Sequence, residues 1–482
     1  RPGRDAEARV IGALLLAATL ASTRVSSPAP TPAAPPAEEL PVAKAVETAL
    51  TGNPDLLDAV DRAAIAAATL SSARSAFLPQ ITPFLAPTFR DGGTPALSRY
   101  GVTATEQLPF GPRLSGTAEA ARLEEGGDWS SYYSLSLSQP LLRGLDPAVT
   151  REPLRAAGRQ VDTVGRNLSI QKRRTVVAVW SAYLASILQG ELVGEAAGRT
   201  QRAETILESS RAKEQAGSVS RLDVLRAEQL VAQSRSQEND TRNALDDALD
   251  LLARLLGRPA GSRWRLVSPE RLPVAVPTEE EAIAEALSSR EEVVEARERV
   301  TDAEFQLRIA KSLLLPSLDA GLSWTAAGSG NRLGNALGSP GPSVWTFGLS
   351  SQAPLNLGAQ LAAKSQAEVT LRSARRGVES LEADVVRQVR AAARRLATAR
   401  DRLALDEANE GVAKMQLEVA QLRFGKGLSD NFFVVDAEGL YNSARVSLLT
   451  SRQQVLLYEL ALLAEAGILR PEEFLPRPAP AP

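Results

Sequence analysis

The sequence predicts a mixed α and β membrane protein: a β-barrel of the outer-membrane type, about four strands per chain, continued by long coiled-coil α-helices and built by internal duplication. Three observations lead there. Segments of the chain recur at fixed spacing, short stretches alternate between apolar and small polar residues, and two very long helical stretches carry no stop signal.

The recurrence comes first. Ala45-Val46-Glu47-Thr48-Ala49-Leu50 reappears as Ala282-Ile283-Ala284-Glu285-Ala286-Leu287. Ala73-Arg74-Ser75 with Leu78-Pro79 reappears as Ala310-Lys311-Ser312 with Leu315-Pro316, and both pairs lie 237 residues apart. Further on, Gly217, Val224, Ala227 and Glu228 match Gly427, Val434, Ala437 and Glu438 at a spacing of 210, so the first copy holds about 27 residues that the second lacks. The expected organisation is a signal peptide over 1–21, a Pro-rich linker over 22–40, a first repeat over 41–256, a linker over 257–277, a second repeat over 278–469 and a Pro-rich tail over 470–482. Each repeat runs helix, strand, loop, strand, long helix, Gly turn, returning helix.

The alternating segments carry the barrel. Leu318, Ala320, Leu322 and Trp324 alternate with Asp319, Gly321, Ser323 and Thr325, and Trp345, Phe347 and Leu349 with Thr346, Gly348 and Ser350. In the first repeat Tyr133, Leu135 and Leu137 alternate with Ser134, Ser136 and Ser138. Successive side chains of a strand point to opposite faces, so each segment has one apolar face and one small, polar face, as a strand between lipid and water requires. Of the 21 aromatics, 11 lie between Phe77 and Gly144 or between Leu314 and Gln360, the clustering expected of interfacial girdles. Between Phe89 and Ser130 lie two more alternating stretches, Val102 to Thr105 and Leu114 to Glu119, around Pro109-Phe110-Gly111-Pro112. They read as an added hairpin that either projects beyond the membrane or widens the barrel.

Helices are expected from Pro153 to Ala216 and from Leu361 to Phe424, each about 90–100 Å long at 1.5 Å per residue. Helices of that length need coiled-coil packing. They end at Gly217 and Gly427, where glycine can take the left-handed cap, and Ser220 with Asp223 restarts a helix in capping-box spacing. The returning arms carry apolar stripes, Leu245, Leu249, Leu252 and Leu256 in one and Leu449, Leu456, Leu460 and Leu463 in the other, which make packing seams.

What the chain lacks removes whole classes of chemistry. It has no His and no Cys, so imidazole bases, thiolate nucleophiles and the usual zinc, copper and haem sites are excluded, and no cofactor is expected. With 55 basic against 57 acidic residues, interspersed along helices, there is no patch for nucleic acid. Arg1 and Arg4 before the apolar run Val10 to Ala21 read as a signal peptide. The most apolar helical stretch, Thr175 to Gly190, falls short of the roughly 20 residues a spanning helix needs. Leu333 to Ala363 is broken by Pro340, Pro342 and Pro354. No transmembrane helix is expected. The acidic runs Glu279-Glu280-Glu281 and Glu291-Glu292 read as solvated faces, and Gly328-Ser329-Gly330 with Gly334 as a loop without the lysine of a phosphate cradle.

Ala49-Leu50 with Asn53-Pro54, the two Leu-Pro strand entries, Ser138-Gln139-Pro140-Leu141-Leu142, and the tips Gly217 to Glu228 and Gly427 to Glu438 with Leu440-Tyr441-Asn442 together resemble the TolC-like outer membrane efflux proteins. The resemblance runs from about Leu40 to Leu469. It implies a homotrimer in which each subunit gives four strands to a twelve-stranded barrel in outer membrane lipid, with the helices forming a tapered periplasmic tunnel. It implies a passive exit duct that docks onto a periplasmic adaptor (membrane fusion) protein and through it an inner-membrane pump, for efflux or type I secretion. The adaptor-docking tips would be Gly217, Ser218, Val219 and Ser220, and Gly427, Leu428 and Ser429. Near the turns Asp223, Phe424, Asp430, Phe433 and Asp436 are the candidates for the entrance gate, with Phe424 and Phe433 standing where many members carry a Tyr and an acid. Tyr133, Leu135, Leu137, Trp324, Trp345 and Phe347 are the lipid-facing candidates. The competing reading, an exported coiled-coil scaffold or adhesin without a pore, is opposed by the alternating segments in both repeats.

Overall fold

The computed structural model describes residues 38–475 apart from 90–94, 124–126, 144, 270, 339 and 354. The signal peptide, nearly all of the linker to residue 40 and the end of the Pro-rich tail lie outside the described residues. The chain runs β1 (Glu38–Leu40), α1 (Val42–Gly52), α2 (Pro54–Ser75), β2 (Gln80–Phe89), β3 (Pro95–Gln107), β4 (Arg113–Leu123), β5 (Trp129–Pro140), α3 (Pro147–Thr150), α4 (Glu152–Gln215) and α5 (Arg221–Leu255). It continues as β6 (Trp264–Leu266), α6 (Glu279–Ser289), α7 (Glu291–Ser312), β7 (Ser317–Gly330), α8 (Leu333–Gly338), β8 (Ser343–Gln352), α9 (Gly358–Gly425) and α10 (Asn431–Glu465), ending in a short 3-10 turn. Strands β1 and β6 pair in a ribbon whose residues 38–39 and 263–265 make a small unit of their own. The rest forms the second unit, described from here on.

The helix boundaries follow from local chemistry. Asn53 caps α2, its side chain accepting from Leu56 N at 3.1 Å with Pro54 in the first turn. Thr278 and Glu281 form a capping box on α6, and the backbone and hydroxyl hydrogen bonds from Thr278 hold the Glu281 carboxyl below its ordinary pKa. Helices α4 and α9, at 64 and 68 residues, span about 96 and 102 Å at 1.5 Å per residue, and pack antiparallel against α5 and α10. By composition α4 is long and apolar enough to cross a membrane. Its apolar side chains are used inside the protein instead: Val176, Val179, Trp180, Tyr183 and Leu184 are buried, with Trp180 edge-on to Phe474 at 5.8 Å. In the second helical group Ala282, Ala286 and Val293 pack on Val385, Val389, Ala392 and Leu396 of α9 and Leu462 of α10. Small residues let these helices approach closely over their length.

The second sheet has six strands in the order β2-β3-β4-β5-β7-β8, antiparallel throughout. One chain's sheet thus holds two strands more than the four expected as its share of a barrel. The added hairpin of the first repeat, β3 and β4, is inserted into the sheet between β2 and β5, paired on both sides. Its alternating stretches are rich in Ala, Gly and Thr, a low-contrast pattern that hides a strand but pairs as well as any other. Register carries each face across all six strands. Ile81, Ala104, Gly116, Leu135, Trp324 and Trp345 form one row of the apolar face; Gln80, Thr105, Ser115, Ser136, Ser323 and Thr346 form a row of the polar face. Short helix α8 lies over the apolar face at the end far from the long helices, where Ser131 Oγ and Tyr133 Oη donate to the carbonyls of Ala336 and Leu337, each at 2.6 Å.

Candidate functional site

Two regions gather the residues singled out by the sequence: the sheet face and the helical tips. On the sheet, Tyr133, Leu135, Leu137, Trp324, Trp345 and Phe347 all lie on the apolar face. Leu135, Trp324 and Trp345 stand in one row, and Leu137, Leu322 and Phe347 in the next. Trp345 and Phe347 are 64% and 76% exposed, large apolar side chains left uncovered among the described residues.

At the first tip the chain leaves α4 through Gly217 at φ +73, with Gly217 N donating to Glu214 O and Ser218 N to Lys213 O, at 2.9 and 2.8 Å. A side chain would be strained in that left-handed turn. Gly217, Ser218 and Ser220 are exposed and Val219 is half-buried against the tip core. Ser220 and Asp223 form the anticipated capping box, in which Asp223 accepts from Ser220 N at 3.0 Å and from its hydroxyl at 2.7 Å. The Asp223 carboxylate is thus engaged in capping α5, and its side chain is buried.

The second tip repeats the turn at Gly427, φ +72, with Leu428 N donating to Arg423 O at 2.9 Å. Gly427 and Leu428 are exposed, and Ser429 is half-buried. Asp430 occupies the cap position of α10 without bonding its backbone, and is exposed. Phe424 is buried at the junction of the two hairpins among Ile206, Leu230, Leu417 and Val434, with the Lys213 ammonium 3.6 Å from its ring centroid. It is a core residue holding the hairpins together. Phe433 and Asp436 face out: Phe433 is 57% exposed and edge-on to Phe432, and both border a groove of about 570 Å³ with Met415, Val419 and Leu428.

Two buried polar contacts that the sequence did not announce bind the hairpins near the tip. Asn431, wholly buried, donates to Ser210 Oγ at 3.0 Å and to Asp223 O at 2.9 Å. Glu438, also wholly buried, accepts from Arg202 Nε at 2.8 Å, and the guanidinium stacks on Tyr441. The matching Glu228 of the first hairpin pairs instead with Arg211 at 2.8 Å on the surface, and that hydrogen bond draws its carboxyl below the ordinary range. One signal for Glu438 was available. It sits four residues beyond Val434 and three before Tyr441, a charge on an apolar stripe. Among the described residues no cluster of side chains is placed to hold a metal ion.

The sequence matches the model of the outer membrane efflux protein family over residues 98–258 and 282–467, well over half of the chain. The chain belongs to the outer membrane efflux protein family. Membership makes this an outer-membrane efflux protein and not an enzyme. Its fold is that of solved outer-membrane channels. CmeC of Campylobacter jejuni superposes at TM-score 0.67 and 17% identity over 88% of this chain and 85% of that one. VceC of Vibrio cholerae does so at 0.69 and 15%, over 88% and 96%. The open-state MtrE channel of Neisseria gonorrhoeae gives 0.64 and 20%, over 88% of each. In sequence the efflux protein is 25% identical over 339 residues to nodulation protein T of Rhizobium leguminosarum bv. trifolii, over 67% of this chain and 64% of that relative's length.

Proposed function

We propose that three copies of this protein form a passive exit duct, a barrel in the outer membrane continued into the periplasm by the long helices, which receives cargo from an adaptor and an inner-membrane pump in efflux or type I secretion. The observation that carries this reading is the joining of two features in one chain. A sheet carries mainly apolar side chains along one face and mainly small polar ones along the other, and it stands at one end of helical hairpins about 100 Å long. In a single copy the sheet leaves two open edges, which lipid does not tolerate, so copies must close it. The apolar face meets lipid, and α8 lies at its rim.

The duplication expected from the sequence is supported by matched lengths: α1 and α6 have 11 residues each, α2 and α7 have 22, and α5 and α10 have 35. The elbows correspond too. Asn53 Nδ2 donates to Leu255 O at 2.9 Å, and at the equivalent point Arg290 Nη1 reaches Glu465 O at 3.4 Å.

The exposed turns Gly217-Ser218-Val219-Ser220 and Gly427-Leu428-Ser429 are the surface offered to the adaptor. Phe433 with Asp436 is the gate: three apolar rings plug the entrance, and three carboxylates select the ion that passes. A carboxylate ring in a narrow pore favours cations, less so as salt rises. In planar bilayers Phe433→Ala is expected to raise single-channel conductance, and Asp436→Asn to reduce cation selectivity. Unchanged conductance in the first would remove the plug, and unchanged selectivity in the second would remove the ring.

A further inference from the structure

We propose that the closed wall has eighteen strands: each of three subunits contributes all six strands of its sheet, β8 of one pairing with β2 of the next. This rests on the reading of the chain as a trimeric outer-membrane duct and assigns the hairpin β3–β4 to the wall of its lumen.

The hairpin spans the same height as its neighbours. Strand β3 pairs with β2 from Gln80–Thr105 onward, and β4 pairs with β5 from Arg113–Ser138 to Arg122–Trp129. Its closing turn, Leu108 to Pro112, returns to the level of the helices. There Gln107 Nε2 donates to Gly111 O and Arg151 Nε, at the start of α4, donates to Pro109 O, both at 2.9 Å. A hairpin projecting past the membrane into water would turn at the other end.

Its two faces are those of the wall. Val102 and Tyr100 continue the apolar rows and are 42% and 41% exposed. On the other face Arg99 pairs with Glu119 at 2.6 Å and Ser115 Oγ meets Ser136 Oγ at 2.6 Å. A charged pair and hydroxyls on one side of a hairpin, with apolar residues on the other, match lumen and lipid.

The edges name the occupant. Strands β2 and β8 have 10 residues each, and every residue of β8 is exposed. Six antiparallel strands leave β2 and β8 running in opposite directions, so β8 laid against the β2 of a second copy is again antiparallel. Backbone groups left unpaired at lipid depth cost several kcal/mol each, which another copy of the same chain removes at both edges. At a strand spacing of about 4.8 Å and a tilt of about 40°, eighteen strands give a backbone diameter of about 36 Å, against about 24 Å for twelve. The barrel is then not the narrowest part of the path, and cargo size is set at the helical tips.

Electron microscopy of the purified full chain in nanodiscs tests this. The expected image is a trimer with an eighteen-stranded ring. A trimer with twelve strands and the hairpin outside the ring overturns the proposal and leaves the duct intact. A particle that is not trimeric overturns both. The chain has no cysteine, so a second test is clean. In outer-membrane vesicles a membrane-impermeant maleimide should label Thr103→Cys on the lumen face, and labelling should be lost at Val102→Cys in lipid. Equal labelling of the two would place the hairpin in water and overturn the proposal.

Discussion

Gly257→Ala is expected to destabilise the protein by about 2–5 kcal/mol, the sum of a left-handed backbone forced on a side chain and of overpacking. Gly257 sits at φ +66 just past α5, and a Cβ there would lie 2.1 Å from Gly52 O. The obstacle is backbone, held in place because Asn53 beside it caps α2 and bonds Leu255 O. Two other glycines calibrate the effect. Gly217, at φ +73 with nothing within 4 Å, carries the backbone strain alone, so Gly217→Ala should cost about 1 kcal/mol. Gly467 would meet the Arg290 and Ser289 side chains at 3.1 and 3.3 Å, which can move, so its alanine variant should fall between. Thermal unfolding of the purified protein, followed by loss of helix, gives the order. Equal losses at positions 257 and 217 would mean that the elbow yields and that the close approach to Gly52 is unimportant.

Glu438→Ala should cost about 2–4 kcal/mol, because removing one partner of a buried ion pair leaves the other without compensation. The lower part of that range allows for Arg202, which is 31% exposed and can turn toward water. The loss should be local to the tip, where Glu438 and Asn431 join the two hairpins. Glu228→Ala is the control, since its pair with Arg211 is on the surface and such pairs contribute about 0–1 kcal/mol. Hydrogen exchange over residues 424–441 reads the difference: faster exchange in Glu438→Ala and little change in Glu228→Ala. The same small effect from both would mean that the buried bridge does not hold the tip.

The helical part of the fold was legible almost to the residue. Expected helix ends at Ala216 and Phe424 compare with observed ends at Gln215 and Gly425, because a Gly turn followed by a capping residue stops a helix through local chemistry alone. The apolar strand face was legible for the same reason, since aromatics at every second position leave little choice of face. Strand number was not. Val102-Thr103-Ala104-Thr105 alternates too faintly to reveal its partners, and pairing is a matter of which segments meet across the sheet. At the tips the turns were legible, whereas the burial of individual side chains was not. Phe424 and Asp223 are interior because the other hairpin covers them. The contacts that cover them, such as Asn431 to Ser210, join positions 221 residues apart. Sequence spacing carries no record of such a meeting.

The hairpin β3–β4 enters and leaves the sheet at the same end, with its turn at the other. Its removal would therefore change neither the direction of any remaining strand nor the end at which any long helix begins. Such an insertion behaves as a cassette. In the closed wall proposed above, strands would be gained or lost in pairs at this one point, each pair altering its circumference while the helices, fed by the unchanged ends of β2, β5, β7 and β8, keep their arrangement. On that proposal bore and conduit would be separately heritable, and a lineage could alter one without disturbing the other.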